Sequence, residues 1–217
     1  MLKNRRYCAN LKQMKDKIAA VLFLFLLTQA LPASEIKAMF GMNSSKYLFT
    51  SEIDYLNQQR KTGLSFGLGW ALNLNLNIKL EINVLFSQKG AKTSLAYIPG
   101  KLLSGIYENT TIGFPFFFKY QLKDKASPYI ALGPEFVFIT SHHLIFPESE
   151  KDFDLRDNTK KFVLAFNAML GYELPIGQWG LFAEVRYNRW LSNFLVDPET
   201  TVRSQSFVFM LGGIYYL

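Results

Sequence analysis

The chain has 217 residues, enough for one domain with a buried core, and its 49% hydrophobic, 16% aromatic and 19% charged composition excludes a disordered polymer. No apolar run reaches 18 residues, which excludes a bundle of membrane-spanning helices. The formal charge of +7 resembles that of a nucleic-acid binder, but six of the 24 Lys+Arg (Lys3, Arg5, Arg6, Lys12, Lys15, Lys17) and one of the 17 Asp+Glu (Asp16) precede residue 18. That leaves 18 basic residues against 16 acidic ones, a balance of +2, and no partner that is a nucleic acid is expected.

The first element is a leader. Lys12, Lys15 and Lys17 precede the uncharged run IAAVLFLFLL at 18–27, and small residues with a proline follow in QALPAS at 29–34. A basic segment, a short apolar segment and a small-residue exit describe a secretory signal peptide over residues 1–33, with cleavage after Ala30 or Ala33. Met14 begins a compact version of the same signal and is the expected true start. The single cysteine, Cys8, precedes the apolar segment, so a chain cleaved there has neither disulfide nor thiolate chemistry.

Residues 34–217 contain no linker or low-complexity tract and read as one domain. Eight stretches alternate bulky-apolar with small or polar residues, the period of a strand: 35–42, 62–72, 77–88, 106–121, 128–141, 160–173, 179–192 and 204–217. The connections at 73–76, 122–127 and 174–178 are tight. Those at 43–61, 89–105, 142–159 and 193–203 are longer and polar. Long and short connections alternate strictly, as they do in an up-and-down meander whose two ends face different surroundings. A sandwich with crossing connections has no reason to produce that alternation.

One parity class in each stretch is almost wholly bulky. Leu64, Phe66, Leu68 and Trp70 belong to it, as do Ile112, Phe114, Phe116, Phe118 and Tyr120, and it sums to 34 side chains over the eight stretches. The opposite class holds Gly63, Ser65, Gly67, Gly69, Asn83, Gly113, Gly133, Asn167 and Asn188. An eight-stranded interior accepts on the order of a dozen large side chains, so the bulky face points outward. Against water it would form an apolar patch of thousands of Å², so it faces lipid. Trp70, Tyr120, Tyr172, Trp179 and Tyr215 lie on this face beside the tight turns or the C-terminus, a girdle of amphipathic rings at one interface. Phe86, Phe138, Tyr187 and Phe207 form the opposite one.

Six charged residues belong to the inward class: Lys79, Glu81, Lys119, Glu135, Glu184 and Arg186. Opposite charges in a narrow lumen pair and fill it, because an unpaired one costs several kcal/mol, and Glu81 with Arg186 is the pair expected. Ser141, His142 and His143 are the one place where a nucleophile adjoins a general base. Neighbours on a strand point to opposite faces, however, and no orienting carboxylate stands at a diagnostic spacing, so no catalytic residue is assigned. Two histidines without a third clustered ligand assign no metal, and no cofactor motif is present. The acidic segment ESEKDFD at 148–154 reads as a solvated loop that lacks calcium-loop spacing. GGIYYL at 212–217, with Gly212, Tyr215 and the terminal Leu217, looks like the assembly signal by which outer-membrane barrels reach the barrel-assembly machinery, although it ends in Leu where Phe is usual.

With LEINVLFSQKG at 80–90, IGFPFFFKY at 112–120, PYIALGP at 128–134 and AEVRYN at 183–188 in order, the chain resembles the outer membrane β-barrel domain family that includes the PorT-like proteins. The resemblance covers nearly the whole domain and implies an eight-stranded outer-membrane barrel, with no catalytic residue to carry over. The combined expectation is an all-β, eight-stranded antiparallel up-and-down transmembrane β-barrel of the OmpA/OmpX size, in the outer membrane of a Gram-negative cell envelope. Its termini are periplasmic and its long loops extracellular. Its partners are outer-membrane lipids, lipopolysaccharide and an extracellular ligand of unknown identity. The role expected is structural or surface-binding, without an open pore and without enzymatic activity. A lipid-modifying enzyme using Ser141, His142 or His143, a small-solute channel and a periplasmic lipocalin-like carrier are the alternatives.

Overall fold

The computed structural model describes residues 35–49, 57–98, 101–122, 126–197 and 201–217. The leader, with Met14 and Cys8, lies outside the described residues. Nine strands form: β1 (Glu35–Phe49), β2 (Asn57–Asn73), β3 (Ile78–Ile98), β4 (Lys101–Gln121), β5 (Ser127–Phe146), β6 (Lys151–Asp154), β7 (Phe162–Ile176), β8 (Trp179–Trp190) and β9 (Val202–Tyr216). Eight of them close a barrel of antiparallel neighbours, with β9 pairing back onto β1 and β5 pairing both β4 and β7. The ninth, β6, is a four-residue strand that folds back on the outer end of β5.

The register determines the shape. From Ile36 on β1 the row runs through Trp70, Ile82 and Phe116. Phe116 is set opposite Pro134 by the flanking pairs Pro115–Glu135 and Phe118–Leu132. The row continues through Phe166, Arg189 and Gln205 and returns to β1 at Lys46, ten residues beyond its start. A stagger of ten over eight strands tilts them about 40° from the barrel axis, the tilt of small closed barrels.

Of the 34 side chains assigned outward none is buried, and Phe40 and Phe118 are each 64% exposed. The inward class is buried strand by strand, as in the alternating pattern of β5. The tight connections sit where the alternation places them. In the turn between β2 and β3 the Asn75 side chain accepts from the Asn77 and Ile78 amides (2.9 and 2.8 Å). The link between β7 and β8 is closed by Gly177, whose φ of +66° suits a two-residue hairpin.

Two expectations change. Much of 43–61, 89–105 and 142–159, read as loop, is strand: β3 and β4 continue as a hairpin well beyond the apolar band. Polar residues outside the hydrocarbon end the bulky alternation without ending the hydrogen-bond ladder. The lumen is also less uniformly small than its glycines suggest, because Phe117, Tyr129, Phe182, Met210 and Trp190 fill it. Glycine is what admits two of these rings: a Cβ on Gly171 would overlap Tyr129, and one on Gly212 would overlap Phe182.

Candidate functional site

The chemistry of this chain is concentrated inside the barrel and at the mouth reached by its long connections. At the short-turn end a floor of charges crosses the lumen. Lys37 on β1 donates to Glu81 on β3 (2.6 Å) and to Glu173 on β7 (3.0 Å), with all three buried. Glu173 also accepts from Lys119 and stands 3.8 Å from Lys79, which is itself paired with Glu35. One layer up, Glu184 accepts from the Arg186 Nε (2.5 Å) and from the Tyr129 hydroxyl (2.7 Å). Above that, Glu135 accepts from Asn188 (2.5 Å) and Asn167 (2.8 Å), and Lys89 donates to Asn188 (3.0 Å) beneath the Trp190 ring.

All six inward charges named from sequence are buried in this stack, but the partners differ from those expected. Glu81 pairs with Lys37 and not with Arg186, whose partner is Glu184 two residues earlier on the same strand and face. Among the described residues Glu135 forms no direct ion pair; it accepts from the Asn167 and Asn188 amides, and Asn188 links it to Lys89. Glu35, Lys37, Lys89 and Glu173 were missed. Their parity was the available signal, since Lys37 alternates with Ile36 and Glu173 with Tyr172. The buried set comprises Lys37, Lys79, Lys89, Lys119 and Arg186 against Glu35, Glu81, Glu135, Glu173 and Glu184, which balances to zero.

The mouth at the long-connection end is capped by aromatic rings. Trp190 meets Phe194 at 5.3 Å, Phe194 meets Tyr47 at 5.0 Å, and His142 lies edge-on to both Phe194 and Tyr47. The connections after β5 and β8 are sewn together over them. The Lys160 backbone amide donates to the Phe194 carbonyl (2.7 Å), the Val196 amide donates to the Asn158 carbonyl (3.0 Å), and Thr159 forms a β-bridge with Leu195. Thr159 donates to the Leu155 carbonyl (2.7 Å), so its oxygen accepts from the His142 Nδ1–H at 2.7 Å. The bare Nε2 of His142 lies among the rings, with no hydrogen-bond partner among the described residues. Burial, with His143 beside it, pulls the His142 pKa down to about 4. Burial also pushes the Tyr47 phenol well up.

Ser141, His142 and His143 do not form a catalytic set. Ser141 lies opposite Thr110, and among the described residues no hydrogen bond joins it to either histidine. His143 turns outward to Asp152 (3.0 Å) on β6. The segment at 148–154 is a 3-10 turn, Pro147–Ser149, leading into exposed β6, where Arg156 hydrogen bonds hold Asp154 at about 2. Among the described residues no three metal-binding side chains cluster.

The girdle residues gather at the short-turn end. Trp70 and Tyr215 both lie opposite Ile36, and Trp179 and Tyr215 are in ring contact at 4.9 Å. Of the terminal trio, Gly212 faces the lumen against Phe182, Tyr215 faces outward, and Leu217 follows the last strand residue.

Residues 29–196 match the family model described as "Outer membrane protein beta-barrel domain". No curated protein matches the chain. Among solved structures, the outer membrane protein OprG from Pseudomonas aeruginosa aligns over 86% of this chain and 97% of its own, at 12% identity and a TM-score of 0.55. Neisserial surface protein A aligns over 84% and 97% at 12% identity (TM-score 0.48). Ail, the attachment invasion locus protein of Yersinia pestis, aligns over 84% and 99% at 15% identity (TM-score 0.42). At these identities the likeness is one of fold.

Proposed function

The chain belongs to the outer membrane protein β-barrel domain family, and from that premise we propose that it is a non-conducting barrel anchored in the outer membrane, acting through its extracellular hairpins. The observation that carries this reading is the filled lumen. Five buried cations balance five buried carboxylates, and a ring-packed cap closes the outer mouth. Small eight-stranded barrels fill their interiors with side chains in this way, and an ion entering would have to break paired buried charges.

Orientation follows from the alternation of connections. Short turns face the periplasm in barrels of this class, so the termini are periplasmic, and the β3–β4 hairpin, the β5–β6 hairpin and the connection after β8 are extracellular. The leader at 1–33 is the export signal, Met14 its start, and the 212–217 segment the mark read by the assembly machinery. The engagement of His142 with Thr159 and of His143 with Asp152, neither with Ser141, favours a binding or structural role over lipid-modifying chemistry. Purified protein in liposomes tests the closed lumen. Swelling in small sugars at the rate of protein-free vesicles is the expected result, and rapid swelling refutes the reading.

A further inference from the structure

One interface of the barrel carries charge that the other lacks. On the lipid-facing side, Arg189 of β8, Gln205 of β9 and Lys46 of β1 form a single cross-strand row, one step beyond the Tyr187–Phe207–Ser44 row of the outer girdle. Arg60 of β2 reaches across β1 into the same place: its Nη1 donates to the Ser44 carbonyl (2.9 Å) and its guanidinium lies 5.1 Å from the Phe207 ring. Arg203, opposite Leu48, stands one step further out on β9. Among the described residues none of these four cations forms an ion pair. The acids of β1, β2, β8 and β9 are Glu35 and Glu184, both buried in the lumen.

At the short-turn interface, by contrast, the outward positions Ile36, Trp70, Tyr120, Tyr172, Trp179 and Tyr215 are uncharged. On β1, β2, β3, β8 and β9 the apolar wall is indented where the small pair Ala38–Gly213 meets, one step from the Ile36–Tyr215 pair of this girdle, giving a groove of about 990 Å³ between Phe40, Phe66, Leu68 and Leu211.

We propose that Lys46, Arg60, Arg189 and Arg203 form a binding site for a lipid of the outer leaflet that carries more than one phosphate, with its acyl chains lying against the outward Tyr187, Phe207 and Phe209 side chains below them. Unpaired basic side chains at headgroup depth attract anionic lipid. Arg189 and Lys46 are two strand spacings apart, about 10 Å, which suits two phosphates better than one. The arginines add forked donors that match phosphate oxygens. The outward Tyr187 and Phe207 rings one step beneath the charges distinguish a lipid from a soluble polyanion, because they offer hydrocarbon contact to its chains. The inference rests on the proposed orientation, which places this interface in the outer leaflet.

The test uses the protein in neutral detergent micelles and measures its affinity for bisphosphorylated lipid A. The fourfold variant Lys46→Gln, Arg60→Gln, Arg189→Gln, Arg203→Gln is expected to bind at least tenfold more weakly while keeping its heat-modifiable gel mobility and closed lumen. Removing the phosphates from the lipid is expected to cause a similar loss for the unaltered protein. The variant pair Lys160→Gln, Lys161→Gln, on the flank of β7, serves as a charge-loss control and is expected to bind as the parent does. Equal affinity of the fourfold variant overturns the proposal. So does tight binding of the deacylated, phosphorylated sugar, which assigns the patch to a soluble polyanion. A variant that is folded and closed but does not bind lipid isolates this site from the closed-barrel reading, and a conducting parent defeats that reading without touching this one.

Discussion

Lys37 on β1 and Glu81 on β3, two strands apart, meet across the floor of the lumen at 2.6 Å with neither side chain exposed to solvent. The same ammonium reaches Glu173 on β7 at 3.0 Å, so one cation ties three strands from opposite walls. Replacing it by Lys37→Met leaves two buried carboxylates short of a partner. Removing one member of a buried pair costs about 3–5 kcal/mol, because the remaining charge is stranded. Urea unfolding in micelles is expected to register a loss of that size. The double variant Lys37→Met, Glu81→Met is expected to be more stable than Lys37→Met alone. A single variant as stable as the parent contradicts a structural role for the floor.

The capped mouth predicts a pH dependence. His142 is held neutral by burial, its pKa falling from 6.5 to about 4. The unfolded chain therefore binds a proton at a higher pH than the folded one does. Stability from this group is fully present above about pH 6.5 and declines as pH falls toward 4. The difference amounts to at most about 3 kcal/mol. The proton would have to enter at Nε2, among the rings of Tyr47 and Phe194. With the intrinsic slowing of exchange at lower pH divided out, amide protection across residues 155–160 and 191–196 is expected to weaken between pH 6.5 and 4 in the parent. His142→Phe is expected to flatten that slope, and an unchanged slope in this variant assigns it to other groups.

What was legible in the sequence, and what was not, divides along the same boundary. The eight alternating segments, the lipid-facing side of each and the three tight connections follow from period and bulk alone, because hydrocarbon selects large side chains at every second position. Partner choice inside the barrel does not follow, since it depends on the ten-residue stagger. Arg186 faces the same lumen as Glu81, but register brings Lys37 to Glu81 and leaves Arg186 with Glu184. Phe117 was hidden for a different reason: parity with outward Phe116 and Phe118 turns it inward with Lys119, but a rule that fills the lumen with small or polar residues leaves no place for a buried ring. The basic row at Lys46 and Arg189 was unreadable because its members are about 140 residues apart in sequence and adjoin only through Gln205.

Orientation is open to a direct test through β6. Lys151 is exposed on the four-residue strand that folds back on β5. Trypsin added to intact cells is expected to cut there while the eight barrel strands remain as a protected, heat-modifiable core. Cleavage seen only after the outer membrane is breached places this hairpin in the periplasm and inverts the assignment.

The lipid-facing wall makes a depth-dependent prediction. Along β4, Tyr120 marks the short-turn girdle and Ile112 lies in the outer row between Phe86 and Phe138, which puts Phe116 midway between the interfaces. An arginine at the middle of the hydrocarbon costs about 2–4 kcal/mol, and near an interface only about 0–1 kcal/mol, because the side chain can reach the headgroups. Phe116→Arg is therefore expected to destabilise the barrel in lipid vesicles by several-fold more than Ile112→Arg. In a water-soluble barrel the two would be alike, since an outward arginine in water costs little at any height. Equal effects at the two positions would remove the membrane from the account, and with it the reason for Phe and Leu at alternate positions on every strand.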